Sequence, residues 1–252
     1  MLKRRIIPLL LWRNGRLVKT KKFDEGRVVG DPVKTARVYS DQDADEICLL
    51  NISSSSGAAA SFTEAVRQIA METLAPLAVG GDIRTMKDAE TAFRAGADKI
   101  VVNSLCYLEP RTVKSMVEVF GSQAIVGGID FTSTGSNILL RSEGGRQLEQ
   151  AELTEHLQSL EDIGVGEILL QSIDRDGTAS GYDLETLRVT LARAKTPVIC
   201  AGGAGNYGDL LDAFQLGVDA VACGTLFNFG DNNPIRAKAF LRNYDIALKK
   251  SI

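Results

Sequence analysis

The sequence predicts an α/β fold, a single (βα)8 TIM barrel made of two related halves. Three observations carry that expectation. Short apolar runs alternate with helical patterns eight times along 252 residues. The runs are continuously apolar, as in Ile47-Cys48-Leu49-Leu50 and Ile168-Leu169-Leu170, which suits parallel strands covered on both faces. Motifs also recur at about half the chain length. Glu46 to Ile52 echoes Glu167 to Ile173, Gly80-Gly81 echoes Gly202-Gly203, and Ala95-Gly96-Ala97-Asp98 echoes Leu216-Gly217-Val218-Asp219. Half a barrel has open edges, so one domain over 1–252 is expected, with halves of about 1–120 and 121–252.

In chain order, the expected strands are 5–11, 46–52, 76–80, 98–103, 123–130, 166–173, 197–201 and 219–224. The expected helices are 31–43, 61–73, 85–95, 110–119, 151–163, 183–193, 206–216 and 234–248. Basic residues before Ile6–Trp12 give the start a leader-like look. The run is short and meets Arg13 without a small-residue cleavage site, so it reads as the first strand. Asp31-Pro32 and Glu109-Pro110 look like helix starts, with proline in the first turn. Two connections are long, 12–30 with the hairpin signal Asn14-Gly15, and 131–150 with Gly144-Gly145. They occupy corresponding places in the two halves, where site loops or lids are expected.

Composition narrows the function. Twenty-nine basic and 32 acidic residues give a net charge of −3, which argues against a nucleic-acid-coating surface. No apolar run is long enough to span a bilayer. Cys48, Cys106, Cys200 and Cys223 have no zinc spacing, and three of them lie in apolar strand runs. A cytoplasmic protein with no metal and no cofactor is expected. The single histidine, His156, lies in a polar helical stretch and reads as solvated surface. Acid–base chemistry would then fall to carboxylates, lysine or cysteine.

Gly202 and Gly203 end the seventh strand, and Gly224-Thr225 ends the eighth. Turns there bring backbone N–H groups close to an anion, the usual phosphate site of such barrels. The repeat places a second phosphate site at Gly81 with Asn103 and Ser104. Asp82 follows that turn directly and would weaken it unless its carboxylate turns outward. Asp130 ends the fifth strand, where a rim carboxylate can act as general acid or base. The matching end of the first strand carries Leu11, and the second strand ends in Asn51. Asp174, Asp176 and Asp183 decorate the loop after the sixth strand, where loop-capping roles compete with catalytic ones. Arg5, Glu46, Lys99 and Glu167 lie at the starts of strands one, two, four and six. If all point inward, they form a ring of alternating sign on the barrel floor, costly unless mutually paired.

With these residues in view, the chain resembles the cyclase subunit of imidazole glycerol phosphate synthase, from Met1-Leu2 to about Phe229. The most specific stretches are Arg5-Ile6-Ile7, Gly30-Asp31-Pro32, Gly96-Ala97-Asp98-Lys99, Phe120-Gly121-Ser122-Gln123-Ala124, Glu167 to Asp183 and Gly202-Gly203-Ala204-Gly205. The resemblance implies a glutaminase subunit docked under the barrel floor, at the N-terminal face. Ammonia would pass through the barrel to a phosphorylated substrate at the rim, giving imidazole glycerol phosphate and an aminoimidazole carboxamide ribotide. Arg5, Glu46, Lys99 and Glu167 match the gate of that passage, and Asp98 matches the residue that docks the glutaminase. Lys19 and Asp176 match polar residues of the site. Asp130 matches one of two acid/base aspartates, whereas Leu11 replaces the other. Asn51 and Asp82 replace a further aspartate and a third glycine.

The Leu-Leu-Leu ending of the first strand looks like a paralogous branch associated with surface-polysaccharide synthesis. There the ammonia would serve a third protein that amidates a sugar. Three readings follow: a cyclase or lyase working with Asp130 alone or with Lys19, a non-cyclising ammonia conduit, and a sugar-phosphate isomerase. An isomerase has no need of the four-residue gate.

Overall fold

The computed structural model describes residues 3–24, 26–53, 58–135, 137–228 and 231–249. Met1, Leu2 and Phe229, which bound the family resemblance, lie outside them, as do Glu25 and Ser136 in the two long connections. In chain order the elements of the first half are β1 (Arg5–Arg13), β2 (Arg16–Lys19), β3 (Arg27–Gly30), α1 (Pro32–Asp41), β4 (Ile47–Asn51), α2 (Ala58–Glu72), β5 (Leu77–Gly80), α3 (Met86–Arg94), β6 (Lys99–Val102), α4 (Ser104–Leu108) and α5 (Pro110–Phe120). The second half has β7 (Ile125–Thr134), β8 (Asn137–Ser142), β9 (Gln147–Leu148), α6 (Leu153–Ile163), β10 (Glu167–Ser172), α7 (Leu184–Leu191), β11 (Val198–Ala201), α8 (Tyr207–Leu216), β12 (Ala220–Cys223), α9 (Thr225–Asn228) and α10 (Pro234–Arg242).

Eight strands pair in parallel in the order β10, β11, β12, β1, β4, β5, β6, β7, and β7 pairs β10 to close the (βα)8 barrel. The long connections are antiparallel extensions of the sheet, β2 and β3 on β1, and β8 and β9 on β7.

The half-barrel repeat extends to hydrogen bonds. Asp98 accepts from the Leu77 amide at 2.8 Å, and Asp219, 121 positions later, accepts from the Val198 amide at 3.0 Å. Thr85 with Asp88 and Asn206 with Asp209 form matching capping boxes on α3 and α8. At the glycine turns, a Cβ on Gly81 would meet the Asn51 carbonyl oxygen at 2.0 Å, and one on Gly202 the Ser172 carbonyl oxygen at 2.4 Å. Both glycines have positive φ, so no other residue fits either turn without a shift.

Apolar side chains form two layers. One lies between strands and helices, and the other fills the bore with Ile7, Leu9, Cys48, Ala78, Val101, Val126, Leu169, Ile199, Ala201, Ala220 and Ala222. All four cysteines are buried and free.

Three expectations need correction. The last helix stops at Arg242 rather than 248, because Asp245 takes a left-handed turn and Leu248 then bridges to Arg4. The short helices α4 and α9 follow the fourth and eighth barrel strands, in segments where the sequence pattern predicts no helix. His156 is buried, not solvated. It sits on the apolar stripe of α6 with Leu153, Leu157 and Leu160, and stacks on Tyr107 with centroids 4.0 Å apart. Burial pushes its pKa down to about 4. Its spacing from Leu153 and Leu157 was a readable signal for the buried side.

Candidate functional site

The barrel floor is closed by the four charged residues. Glu46, just before β4, is buried and accepts from Arg5 and from the Lys99 ammonium, both at 2.7 Å. Glu167, the first residue of β10, accepts from Arg5 and, at 2.8 Å, from Lys99. The result is a closed ring of alternating sign. Burial works against the Arg5 charge, but Glu167 and Glu46 outweigh it and hold its pKa above the usual value. Each charge has two partners of opposite sign, the condition that makes such burial tolerable. Asp98 lies on the same end of the barrel with an exposed side chain, one oxygen of which is committed to the Leu77 amide.

The opposite end holds a cavity of about 280 Å³ over the mouth of the bore. Its base is apolar, with Leu11, Leu50, Val101 and Leu169, and its polar wall includes Asp130, Asn103, Gln171, Thr20 and Asn51. Asp130 keeps one edge in the cavity but lies deep among protein atoms. Burial pushes its carboxyl up to about 7, against the opposing effect of a 2.8 Å hydrogen bond donated by Asn103. A carboxyl near pH 7 can give or take a proton under ordinary conditions. Gln171, its neighbour in the β7–β10 register, is fully buried. Leu11 supplies a hydrocarbon wall, and no second carboxyl is found at that position. The Asn51 oxygen accepts from the Ser53 amide at 2.9 Å and so shapes its own loop.

Lys19 and Asp176 come together as a buried ion pair at 2.8 Å, with the Thr20 hydroxyl on the second carboxylate oxygen at 2.9 Å. The pair ties the loop after β1 to the loop after β10. Gly177 allows the approach, since a Cβ there would meet the Thr20 carbonyl oxygen at 2.3 Å. Neither Lys19 nor Asp176 lines the cavity beside Asp130. The Lys19 ammonium instead lies against Gly224, 3.3 Å from where a Cβ would stand. Asp174 accepts from the Ser133 amide, and Asp183 accepts from the Thr186 amide as the cap of α7 and from the Ser133 hydroxyl. Both brace the backbone around this loop.

Of the expected phosphate-binding residues, Gly81, Asn103 and Ser104 line the cavity, whereas Gly202, Gly203, Gly224 and Thr225 do not. Gly203 packs on Gly181, and the Gly205 amide donates to Asp209 at 2.7 Å. Asp82 is exposed and turned to Arg84, accepting from its Nε at 2.8 Å. Sequence reasoning missed Thr20, Gln171 and the rim residues Arg13, Arg84, Glu143 and Arg146. Gln171 was readable as the polar repeat equivalent of Leu50. The arginines and Glu143 have no repeat signal, because loops bring them to the rim. Among the described residues, no group of three or more His, Cys, Asp or Glu side chains could hold a metal ion, and no helix is long and apolar enough to cross a membrane.

A family model described as Histidine biosynthesis protein matches residues 5–233. A protein of Chlorobium phaeobacteroides is 38% identical over 250 residues, covering 99% of this chain and all of the relative. One of Streptomyces coelicolor is 39% identical over 239 residues, 94% of this chain and 95% of the relative. One of Pyrobaculum aerophilum is 38% identical over 247 residues, 97% and 98% of the two chains. Each of the three relatives is named Imidazole glycerol phosphate synthase subunit HisF.

Proposed function

The chain belongs to the histidine biosynthesis protein family, and from that premise we propose that it is a cyclase-like subunit of an imidazole glycerol phosphate synthase type of assembly. In this reading it takes ammonia from a glutaminase partner at the floor and uses or delivers it at the rim. One observation carries the reading. A closed ring of four paired charges lies beneath an apolar bore that opens beside a single carboxyl near neutrality. A polar ring admits a small polar molecule only when its pairs part. The apolar bore above it favours neutral ammonia over ammonium, whose charge it cannot solvate. Asp98, exposed at that end, contributes to the glutaminase contact.

At the rim, Asp130 serves as general acid or base, steadied by Asn103. The glycine turns, with Asn103, Ser104 and Thr225, receive the phosphate groups of the substrate, and Lys19 and Asp176 fix the loops around it. Leu11 and Asn51 favour a second reading, in which the chain does not cyclise but conducts ammonia to a third protein that amidates a surface-polysaccharide sugar. Loss of one of two acid/base groups costs about 10²–10⁴-fold in rate.

Turnover of the imidazole glycerol phosphate synthase substrate with ammonium salts, by this chain and by Leu11→Asp, separates the two. Turnover by the unmodified chain that is lost in Asp130→Ala supports the cyclase. Turnover appearing only in Leu11→Asp supports the conduit. Failure of a glutaminase partner to bind, or to respond to Lys99→Met in the floor ring, would overturn both.

A further inference from the structure

At the first-half rim, three loops meet over the cavity. Arg84 follows the turn after β5, Ser104 opens α4 after β6, and Glu143 follows β8. The Arg84 guanidinium bonds both Glu143 oxygens, at 3.2 and 2.7 Å, and its Nε donates to Asp82 at 2.8 Å. The Glu143 amide donates to the Ser104 hydroxyl oxygen at 3.0 Å, which leaves the hydroxyl proton free to donate elsewhere. Glu143 has φ +49°, followed by Gly144 at +66° and Gly145 at +86°. A left-handed glutamate is uncommon, and here the Arg84 fork and Ser104 hold it. All these side chains, with Arg146, line the cavity that contains Gly81 and Asn103. Hydrogen bonding to Arg84 keeps the Glu143 carboxyl below its usual range, with Arg146 nearby adding to the effect.

Three cations, Arg13, Arg84 and Arg146, and three carboxyl groups, Asp82, Asp130 and Glu143, line this cavity, and Arg84 is held by two of the carboxylates, Asp82 and Glu143. A planar guanidinium fork fits a carboxylate and a phosphate ester by the same geometry. We propose that the Glu143 carboxylate stands in for the phosphate-ester group of the ligand, and that the ligand binds by exchange, with Arg84 passing from Glu143 to the incoming anion. Gly144, whose Cβ position is open, lets the turn swing away. Glu143 then sets a threshold against weak anions, and Arg84 supplies the charge that a glycine at position 82 would not. The proposal rests on the reading of this rim as a phosphate-ester site.

The test is a titration of the full chain with inorganic phosphate, followed on the Arg84 Nε–H NMR resonance, assigned by its loss in Arg84→Lys. Sodium chloride at matched ionic strength is the control. A saturable shift is expected, with a midpoint about two- to fivefold lower in Glu143→Gln, the worth of an exposed ion pair. An Arg84 resonance that does not move, that moves equally with chloride, or whose midpoint is unchanged in Glu143→Gln overturns the exchange. If the amides of Gly81 and Ser104 titrate while Arg84 does not, the phosphate-ester reading of this rim stands and only the exchange fails. If neither titrates, both fail.

Discussion

Replacing Asp130 by Asn tests the electrostatics of the rim directly. The side chain keeps its size, and its oxygen can still accept from Asn103, so the lost ionisation dominates the effect. The carboxyl is raised from an ordinary 3.8 to about 7, chiefly by burial. Between those values the native state holds the proton more tightly than the unfolded chain. Stability therefore falls as pH rises through that window. With about 1.36 kcal/mol per pKa unit, the destabilisation reaches about 4 kcal/mol above pH 7 and is less than half of that at pH 5. Asp130→Asn should thus gain roughly 2–3 kcal/mol more, relative to the unmodified chain, at pH 8 than at pH 5. Urea unfolding of both proteins at the two pH values measures this. A stability difference independent of pH, or larger at pH 5, would show that Asp130 is not a raised carboxyl and would remove it as an acid–base group at neutral pH.

Lys99→Met leaves Glu46 and Glu167 with Arg5 alone, and because the ring is only partly shielded the expected cost is about 2–3 kcal/mol. Adding Glu46→Gln should recover part of it in urea midpoints, and a double variant no better than the single one would mean that the ring is not coupled. Gly217→Ala and Gly81→Ala both force a side chain into positive φ, but only Gly81 meets backbone. The first should cost about 1 kcal/mol and the second at least about 2 kcal/mol more. Equal losses in melting experiments would show that the Asn51 contact yields easily.

The barrel was legible because its signals are local and repeated. Continuous apolar strands, Pro-started helices and glycine motifs recurring about 121 positions apart each describe their own segment. The four floor charges could be placed at strand starts, but that they all point inward and pair was decided by the structure. Asp130 could be placed at the rim from its position at the end of an apolar run. Its raised pKa could not, because that depends on how deeply the carboxyl lies among protein atoms. In the loop from Glu167 to Asp183, where capping and catalytic roles competed, Asp174 and Asp183 brace the backbone, and Asp176 pairs with Lys19.

The sequence by itself therefore determined the (βα)8 barrel, its two-fold repeat, four charged residues at strand starts, and a leucine, Leu11, where the repeat sets the counterpart of Asp130. Only the tertiary structure decided that Asp82 pairs with Arg84, that His156 is buried against Tyr107, and that Arg84 and Glu143 meet over the rim. The physical reason is the range of the interactions. Strand and helix patterns come from neighbours a few positions apart. The pairing of Arg84 with Glu143 depends on how two long-separated loops pack, and nothing in either segment alone specifies it.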